Sequence, residues 1–341
     1  MAEIWTRSTS RWRGECRPDR LDSLTMSTAV HTPAANPAPT LSHRLEYVAT
    51  RVAVAALRLV GWRAASWVGG ALAKLAYRPF GIRAGVTERQ IAAAFPERSP
   101  HEVRVLAARS YESLGRTSIE TAILPGTSRE EILARIERVE GWEHIEAALD
   151  KGHGIIAVTG HIGNWELGGA YIAARGVGID AVVRGAANKL FEAYVTRTRT
   201  EAGVFVVHDK DAVRRTPRAL RDNRMVALLA DHDALGLAST FVPFFGRPAK
   251  TPRGPAVFAL RFDTPVVFIA IVRQPSGRYA FLVEPVEVPH TGDREHDVDA
   301  IVLRYTQLLE ARVREYPEQY FWQHRRWRRQ PPDTPPQLRE P

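Results

Sequence analysis

The sequence predicts an α/β protein with a mostly parallel central sheet flanked by helices. Two observations carry this prediction: from Gly152 onwards short apolar runs recur at intervals, and segments long enough for helices lie between most of them. Strands spaced by helices are typical of a sheet with helices on both faces. The strand candidates are Ile155–Thr159, Asp180–Val183, Val204–Val207, Met225–Ala230, Phe241–Phe244, Pro265–Val272 and Tyr279–Val283. The helix candidates are Trp165–Arg175, Leu190–Ala202, Ala212–Asn223, Pro255–Phe262 and Asp297–Tyr316.

Residues 84–140 are predicted to be helical, with a break at Pro96. We assign one domain to residues 81–330 and disordered tails to residues 1–40, rich in Arg, Ser, Thr and Pro, and 331–341. Met26 is an alternative start, so residues 1–25 are interpreted as an over-extended gene prediction.

Composition limits the classes of partner. Among 341 residues, 47 Lys and Arg against 38 Asp and Glu give a net charge of +9, which suits nucleic acid, an anionic membrane or an acidic protein. The single cysteine, Cys16, excludes an internal disulfide and a zinc site built on cysteines.

Residues 41–80 are predicted to be a membrane-associated helical segment. The stretch is rich in Ala, Val, Leu, Trp and Gly, but Arg51, Arg58 and Lys74 interrupt it too often for a spanning helix. Basic side chains that reach headgroups, with Trp62 and Trp67 as anchors, favour a helix lying in the interface. An ordinary core helix with charged flanks is the alternative.

A candidate general base follows the first predicted strand. His161 comes two residues after Thr159, beyond the carboxyl end of a strand, where ligands bind in parallel sheets. Asn164 is a plausible helix N-cap, which places Glu166 in the first helical turn. Because positions five apart lie about 140° around a helix, His161 must precede the helix for Glu166 to reach back to its imidazole. We therefore predict His161 as the base and Glu166 as its carboxylate partner.

Other interpretations of this turn are weaker. If His161 and Glu166 are considered alone, the alternative is a polar turn that precedes a capped helix and has no catalytic function. Glycines at 160, 163, 168 and 169 do not have the spacing of a dinucleotide-binding loop. The sequence also lacks the H-E-x-x-H zinc motif and the phosphate-binding loop that ends in Gly-Lys-Ser/Thr.

Residues 45–329 resemble the bacterial lipid A biosynthesis acyltransferase family, whose motif is H-x-x-x-x-D/E. The resemblance is carried by His161 with Glu166 and by four ordered blocks. These are Ala94-Phe95-Pro96-Glu97; Val183-Arg184 with Asn188; Asp231-His232-Asp233 followed by Phe241–Gly246; and Pro317–Trp327. Gly185 stands where a proline often follows the arginine in the family.

The resemblance implies O-acyl transfer from acyl carrier protein, or coenzyme A, to a hydroxyl of a lipid A precursor. It also implies the cytoplasmic face of the inner membrane as the location, and no cofactor. Acylation of another glycolipid, such as a phosphatidylinositol mannoside, and a catalytically inert lipid-binding protein are the alternatives. Expected partners are acyl carrier protein, the glycolipid and an anionic membrane surface, and not nucleic acid.

Substrate-binding roles are expected at the ends of other strands. Arg184 is a candidate for stabilising an oxyanion or a phosphate, with Asn188 as a neutral donor, and Arg253 precedes a helix whose free amides favour anions. Asp231, His232 and Asp233 are predicted to hydrogen-bond loops near the site, since alternating directions along a strand disfavour one shared metal. Asp211 is a further positioning candidate. The basic, aromatic residues 320–329 are expected to meet a glycolipid headgroup or the carrier protein; stacking on nucleic acid is the alternative.

Overall fold

The computed structural model describes residues 40–185, 189–232 and 238–341. The predicted N-terminal tail, with Cys16 and Met26, lies outside the described residues except for Thr40. The candidates Asn188 and Asp233 also lie outside them.

Seven described strands form one twisted sheet in the order β1-β9-β8-β2-β5-β3-β4. The five strands from β8 to β4 are mutually parallel, whereas β9 runs antiparallel to β8. Their bounds are β1 Ile136–Glu140, β2 Ile155–Thr159, β3 Ile179–Val183, β4 Val204–His208, β5 Met225–Leu229, β8 Val266–Arg273 and β9 Tyr279–Val286. The prediction of a mostly parallel sheet is therefore confirmed.

Helices flank both faces of this sheet. Ile156 and Val158 of β2 belong to one apolar core, and Ile155 and Ala157 belong to the other, as the alternation of side chains along a strand requires. The described helices are α1 Leu41–Leu59, α2 Trp62–Tyr77, α3 Ala84–Ala94, α4 Pro100–Ile123, α5 Arg129–Ala134, α6 Trp142–Leu149, α7 Trp165–Ala174, α8 Lys189–Glu201, α9 Asp209–Arg221, α10 Gly254–Phe262 and α11 Arg294–Glu315.

Two strand assignments differ from the prediction. Residues 136–140 were expected to be helical but form β1, in which only Ile136 is buried, so no apolar alternation marks it in the sequence. The predicted strand Phe241–Phe244 does not join the main sheet: Ser239–Phe244 (β6) and Arg247–Pro252 (β7) form a separate antiparallel pair. Prolines at 243, 248 and 252 explain this, because proline cannot donate to a ladder within a central sheet.

The first two helices carry an exposed apolar surface. On α1, Leu41, Leu45, Val48 and Val52 recur at helical spacing and all are exposed. Further exposed side chains, on α2 and just after it, are Trp67, Leu72, Leu75, Phe80 and Ile82. Among the described residues, no helix has the length and apolar content needed to cross a bilayer.

Residues 331–341, predicted to be disordered, are instead placed against the domain. Nη1 of Arg247 donates to the carbonyl of Arg339 at 2.9 Å, Glu340 pairs with Arg325, and Thr334 is buried. Proline-rich composition suggested disorder, but these long-range partners hold the segment, and a local pattern does not reveal them.

Candidate active site

The turn that carries His161 is fixed by its neighbours on both sides. The amide of Gly163 donates to the carbonyl of Gln319, and the amide of Asn164 donates to the carbonyl of Ile271, each at 2.9 Å. Gly163 has φ +61°, and a Cβ at this position would lie 1.7 Å from the oxygen of Ile271. Glycine at this position therefore allows the turn to lie directly against strand β8.

Asn164 caps α7 as predicted: its side-chain oxygen accepts from the amide of Leu167 at 3.0 Å. Its Nδ2 donates to Glu120, which is 1% exposed. Ser66 and Arg273 also donate to Glu120, at 2.6 Å and 2.8 Å, and Tyr279 adds a further hydrogen bond. One buried carboxylate thus joins α2, α4, the sheet and the catalytic turn.

Asp231 is the carboxylate that holds His161. Its Oδ1 lies 2.7 Å from Nδ1 of His161, and its Oδ2 accepts from the amide of His161 at 2.9 Å. Burial alone would raise the pKa of Asp231, but the neighbouring imidazoles and both hydrogen bonds from His161 hold that pKa far below its usual value. Because an ionised Asp231 can only accept hydrogen bonds, the neutral imidazole of His161 carries its proton on Nδ1 and donates it to Asp231. The lone pair of Nε2 is then free to accept a proton. Asp231 was expected to hydrogen-bond loops near the site; its observed partners are the backbone and the ring of His161.

Three imidazoles stack in this site. The ring of His161 lies 3.8 Å from that of His232 at an angle of 8°, and His232 lies 3.7 Å from His324. Burial lowers the pKa of His232 to about 3 and that of His324 to about 4, so both rings are neutral near pH 7. The edge of Trp165 packs against His161 on a further side. The imidazole of His161 is therefore held in one plane and is one-fifth exposed.

Glu166 has a different partner from the one predicted. Its carboxylate accepts from Nε of Arg199 at 2.9 Å and from Nη2 at 2.5 Å. The two side chains are largely buried, with 14% and 22% of their surface exposed. Because Glu166 lies in the first turn of α7 and faces α8, this ion pair binds the two helices together, and the predicted pairing of Glu166 with His161 is corrected.

A metal ion is a poor fit to the His161, Asp231 and His232 cluster, although one ligand atom from each lies within 4.8 Å of the others. Zinc requires imidazole lone pairs that converge on the ion at about 2.0–2.1 Å. In two nearly parallel rings the lone pairs run side by side, so the stack favours a hydrogen-bonded base.

The other predicted substrate-binding residues are spread more widely. Arg184 lies at the carboxyl edge of the sheet, where its Nε donates to Asp209 at 3.2 Å. Asp211 forms a surface pair with Arg214. Arg253 caps α10, and its guanidinium meets Glu295 at the start of α11.

Arg253 is far from the base. Leu309 of α11 packs against Gly160, the residue before His161. Glu295, the partner of Arg253, lies about 20 Å away from Leu309 along the same helix, at 1.5 Å per residue. The interpretation of Arg253 as a substrate ligand at this site is therefore not supported by its placement.

The C-terminal aromatic and basic block is mostly core. Trp322, Arg326 and Trp327 are almost completely buried. Nη1 of Arg326 donates to the carbonyl of Lys250, and its Nη2 donates to the hydroxyl of Thr251, each at 2.7 Å. These side chains are unavailable for stacking on nucleic acid or for a headgroup. In the same block the ring of Phe321 lies near that of His161, and His324 stacks on His232.

An apolar cavity opens beside the base. Its empty volume is about 1100 Å³, the open mouth included, and Trp165, Thr159 and Glu166 line it at the carboxyl edge of the sheet. It extends over the sheet face between α7, α8 and α4. Along β3 its lining runs from Val183 past Ala181 to Ile179, a distance of about 13 Å at the rise of a strand. Thr50 of α1 contributes to its lining, whereas the aromatic residues Phe241–Phe245 do not.

The comparisons with known proteins agree with this geometry. Residues 38–329 match the family described as bacterial lipid A biosynthesis acyltransferase. The chain is 29% identical over 270 residues to the lipid A biosynthesis lauroyltransferase of Escherichia coli (strain K12), covering 79% of this chain and 86% of that protein. It is 30% identical over 214 residues to the phosphatidylinositol mannoside acyltransferase of Mycobacterium tuberculosis (strain ATCC 25618 / H37Rv), covering 60% and 66%.

The family match spans most of the chain, and the described part of it holds a histidine bonded to a buried carboxylate and packed against Trp165, which lines an apolar cavity. The chain is an acyltransferase and belongs to the bacterial lipid A biosynthesis acyltransferase family.

Proposed function

We propose that this enzyme transfers a fatty acyl chain from a thioester donor to a hydroxyl of a membrane glycolipid, with His161 as general base. The observation that carries the proposal is the Asp231–His161 pair beside the apolar cavity. The donor is acyl carrier protein or coenzyme A, and the acceptor is a lipid A precursor.

The chemistry follows from the tautomer of His161. Nε2 removes the proton from the acceptor hydroxyl, and the alkoxide oxygen attacks the thioester carbonyl carbon. As the tetrahedral intermediate collapses, the carbon–sulfur bond breaks and the thiolate takes the proton from Nε2. Asp231 stays ionised and stabilises the transient imidazolium, as the carboxylate of a catalytic triad does.

The developing oxyanion needs hydrogen-bond donors. The amides of Trp165 and Glu166 begin α7 and have no partner within the helix, which makes them suitable donors next to the base. Arg184 lies two strands away at the same edge of the sheet and is a candidate for a phosphate of the acceptor.

The acyl chain is assigned to the apolar cavity. Alanine, valine, leucine and isoleucine side chains make up much of its lining, and this mostly apolar surface suits methylene groups better than a sugar. Trp165 contacts both His161 and the cavity, so a chain that fills the cavity has its carbonyl end at the base.

The exposed apolar faces of α1 and α2 support attachment to a membrane surface. Arg44, Arg51 and Arg58 accompany these faces and would meet anionic headgroups. A lipid acceptor need not leave the bilayer if the catalytic turn lies against it. We propose the cytoplasmic face of the inner membrane, where carrier-protein thioesters are available.

A second acceptor class has specific support, because a phosphatidylinositol mannoside acyltransferase is among the relatives at 30% identity. The test is transfer in detergent from carrier-protein and coenzyme A thioesters of several chain lengths. Each donor is offered a lipid A precursor and, separately, a phosphatidylinositol mannoside.

His161→Ala, checked for folding by circular dichroism, is the control. Product from the wild type alone identifies the acceptor and the role of His161. A folded wild type that transfers to neither glycolipid refutes the proposal, and so does full activity in His161→Ala.

A further inference from the structure

A polar groove lies near His161 and shares no lining residue with the apolar cavity. Its empty volume is about 850 Å³, the open side included, and Arg109, Arg116 and Arg273 line it. Ser113 and Gln319 line both this groove and the small pocket that contains His161, so the two are adjacent.

Arg273 is the deepest cation of the groove. It ends β8 beyond the carboxyl end of β2, and only 9% of its side chain is exposed. Gln319 fixes its backbone by two hydrogen bonds, and Glu120 holds its Nη2 at 2.8 Å. Its buried Nε has no acceptor among the described residues. Glu120 balances the charge of this guanidinium, and the accessible part of Arg273 adds hydrogen-bond donors to the inner end of the groove.

The rim of the groove holds Arg109 and Arg116, and Glu112 and Glu318 are the acidic residues of its lining. Arg109 is exposed and forms no hydrogen bond or ion pair with the described residues. Arg116 and Lys74 share the carboxylate of Glu112, at 2.6 Å and 2.5 Å, so this group carries one net positive charge.

We propose that this groove binds a phosphate group of one of the two substrates, with Arg109, Arg116 and Arg273 as its ligands. The inference rests on the proposed function for the substrate class, since both a phosphorylated glycolipid and the phosphopantetheine arm of a thioester donor carry such a group. With the acyl chain on one side of Trp165 and the phosphate on the other, the reacting carbonyl and hydroxyl meet at His161.

The test measures binding and needs no turnover. Full-length protein in detergent is titrated calorimetrically with inorganic phosphate, with phosphopantetheine against pantetheine, and with glucosamine 1-phosphate against glucosamine. The variants are Arg109→Gln and Arg109→Gln/Arg116→Gln. Arg104→Gln is the control, because Arg104 is exposed on the same helix but does not line the groove.

The double variant is expected to lose affinity for a phosphorylated probe by about tenfold or more, whereas Arg104→Gln binds as the wild type does. If phosphopantetheine binds more tightly than pantetheine, the groove belongs to the donor site. If glucosamine 1-phosphate binds more tightly than glucosamine, it belongs to the acceptor site. The proposal is overturned if the wild type shows no such difference in either pair, or if all variants bind alike. If the protein binds the phosphorylated probes in this way but has no transfer activity, the proposed function is refuted, whereas the phosphate site stands.

Discussion

Asp231 and His161 share two hydrogen bonds although 70 residues separate them in the chain. One carboxylate oxygen fixes the imidazole, and the other fixes the backbone that carries it. Orientation of the base therefore depends on the loop after β5 as much as on its own turn.

Asp231→Asn is expected to lower kcat by about three to four orders of magnitude with a small change in KM, because an amide no longer fixes the tautomer or stabilises the imidazolium. Steady-state transfer assays measure this. Glu166→Gln is the matched comparison: its partner is Arg199, so it should lower stability more than kcat. Equal losses of kcat in the two folded variants would contradict the assignment of Asp231.

Gly163→Ala is expected to destabilise the protein by about 3 kcal/mol or more, since the new Cβ meets the oxygen of Ile271 at a positive φ. Urea unfolding measures the change in free energy. Gly152→Ala is the control, because Gly152 also has a positive φ, +75°, but no atom lies within 4 Å of its added Cβ. Equal effects at the two positions would show that the close approach at Gly163 is unimportant.

The buried histidines predict how stability depends on pH. The pKa of His232 is lowered to about 3 and that of His324 to about 4, against about 6.5 when unfolded. Between these values the unfolded chain binds more protons. The stabilisation is therefore complete above about pH 6.5 and is lost as pH falls, by up to about 1.4 kcal/mol per unit for each histidine.

Urea unfolding between pH 4.5 and 7 should show a shallower slope for His324→Phe, which keeps an aromatic ring but no titrating group. The exposed His101 provides the control variant, His101→Gln. An unchanged slope in His324→Phe would show that His324 is not the titrating group.

Ala181→Phe is expected to shift the preferred donor to shorter acyl chains, because Ala181 lies about halfway along the wall of the apolar cavity. Competition among thioesters of different length, scored by mass spectrometry of the product, measures the shift. Activity with the shortest donor should persist, which serves as the internal control for folding. Loss of all donors in equal proportion would argue against the cavity as the acyl site.

Leu45→Glu with Val52→Glu should weaken binding to vesicles that contain anionic lipid, roughly tenfold or more, because two apolar side chains are replaced by repelled charges. Sedimentation with the vesicles measures the bound fraction. Val213→Glu is the control, since Val213 is 71% exposed on α9, away from the apolar faces of α1 and α2. If all three proteins bind equally, α1 does not contact the membrane.

Local patterns predicted the position of His161 well. A strand followed by glycines and an N-capping Asn164 is a sequence-adjacent signal, and the structure reproduces each part of it. The carboxylate partner was missed because Glu166 is close in sequence, whereas Asp231 is close only once β5 pairs with β2.

Arg199 and Glu120 carried no local signal. In the sequence each is an ordinary charged residue within a helix. Its role is recognised only from its partner in space, which is Glu166 for Arg199 and Asn164 for Glu120. Strand β1 escaped prediction for a similar reason, because an edge strand with one buried side chain has no periodicity to detect.

The buried carboxylate of Glu120 has a consequence for any shortened version of this protein. Ser66 supplies one of its hydrogen bonds from α2, and the glycines at 69 and 115 let α2 lie directly against α4. Deleting the first two helices to improve handling would therefore remove a donor from a fully enclosed charge, at a cost of about 1–3 kcal/mol. The same carboxylate steadies Asn164, so such a truncation would disturb the turn that carries the base.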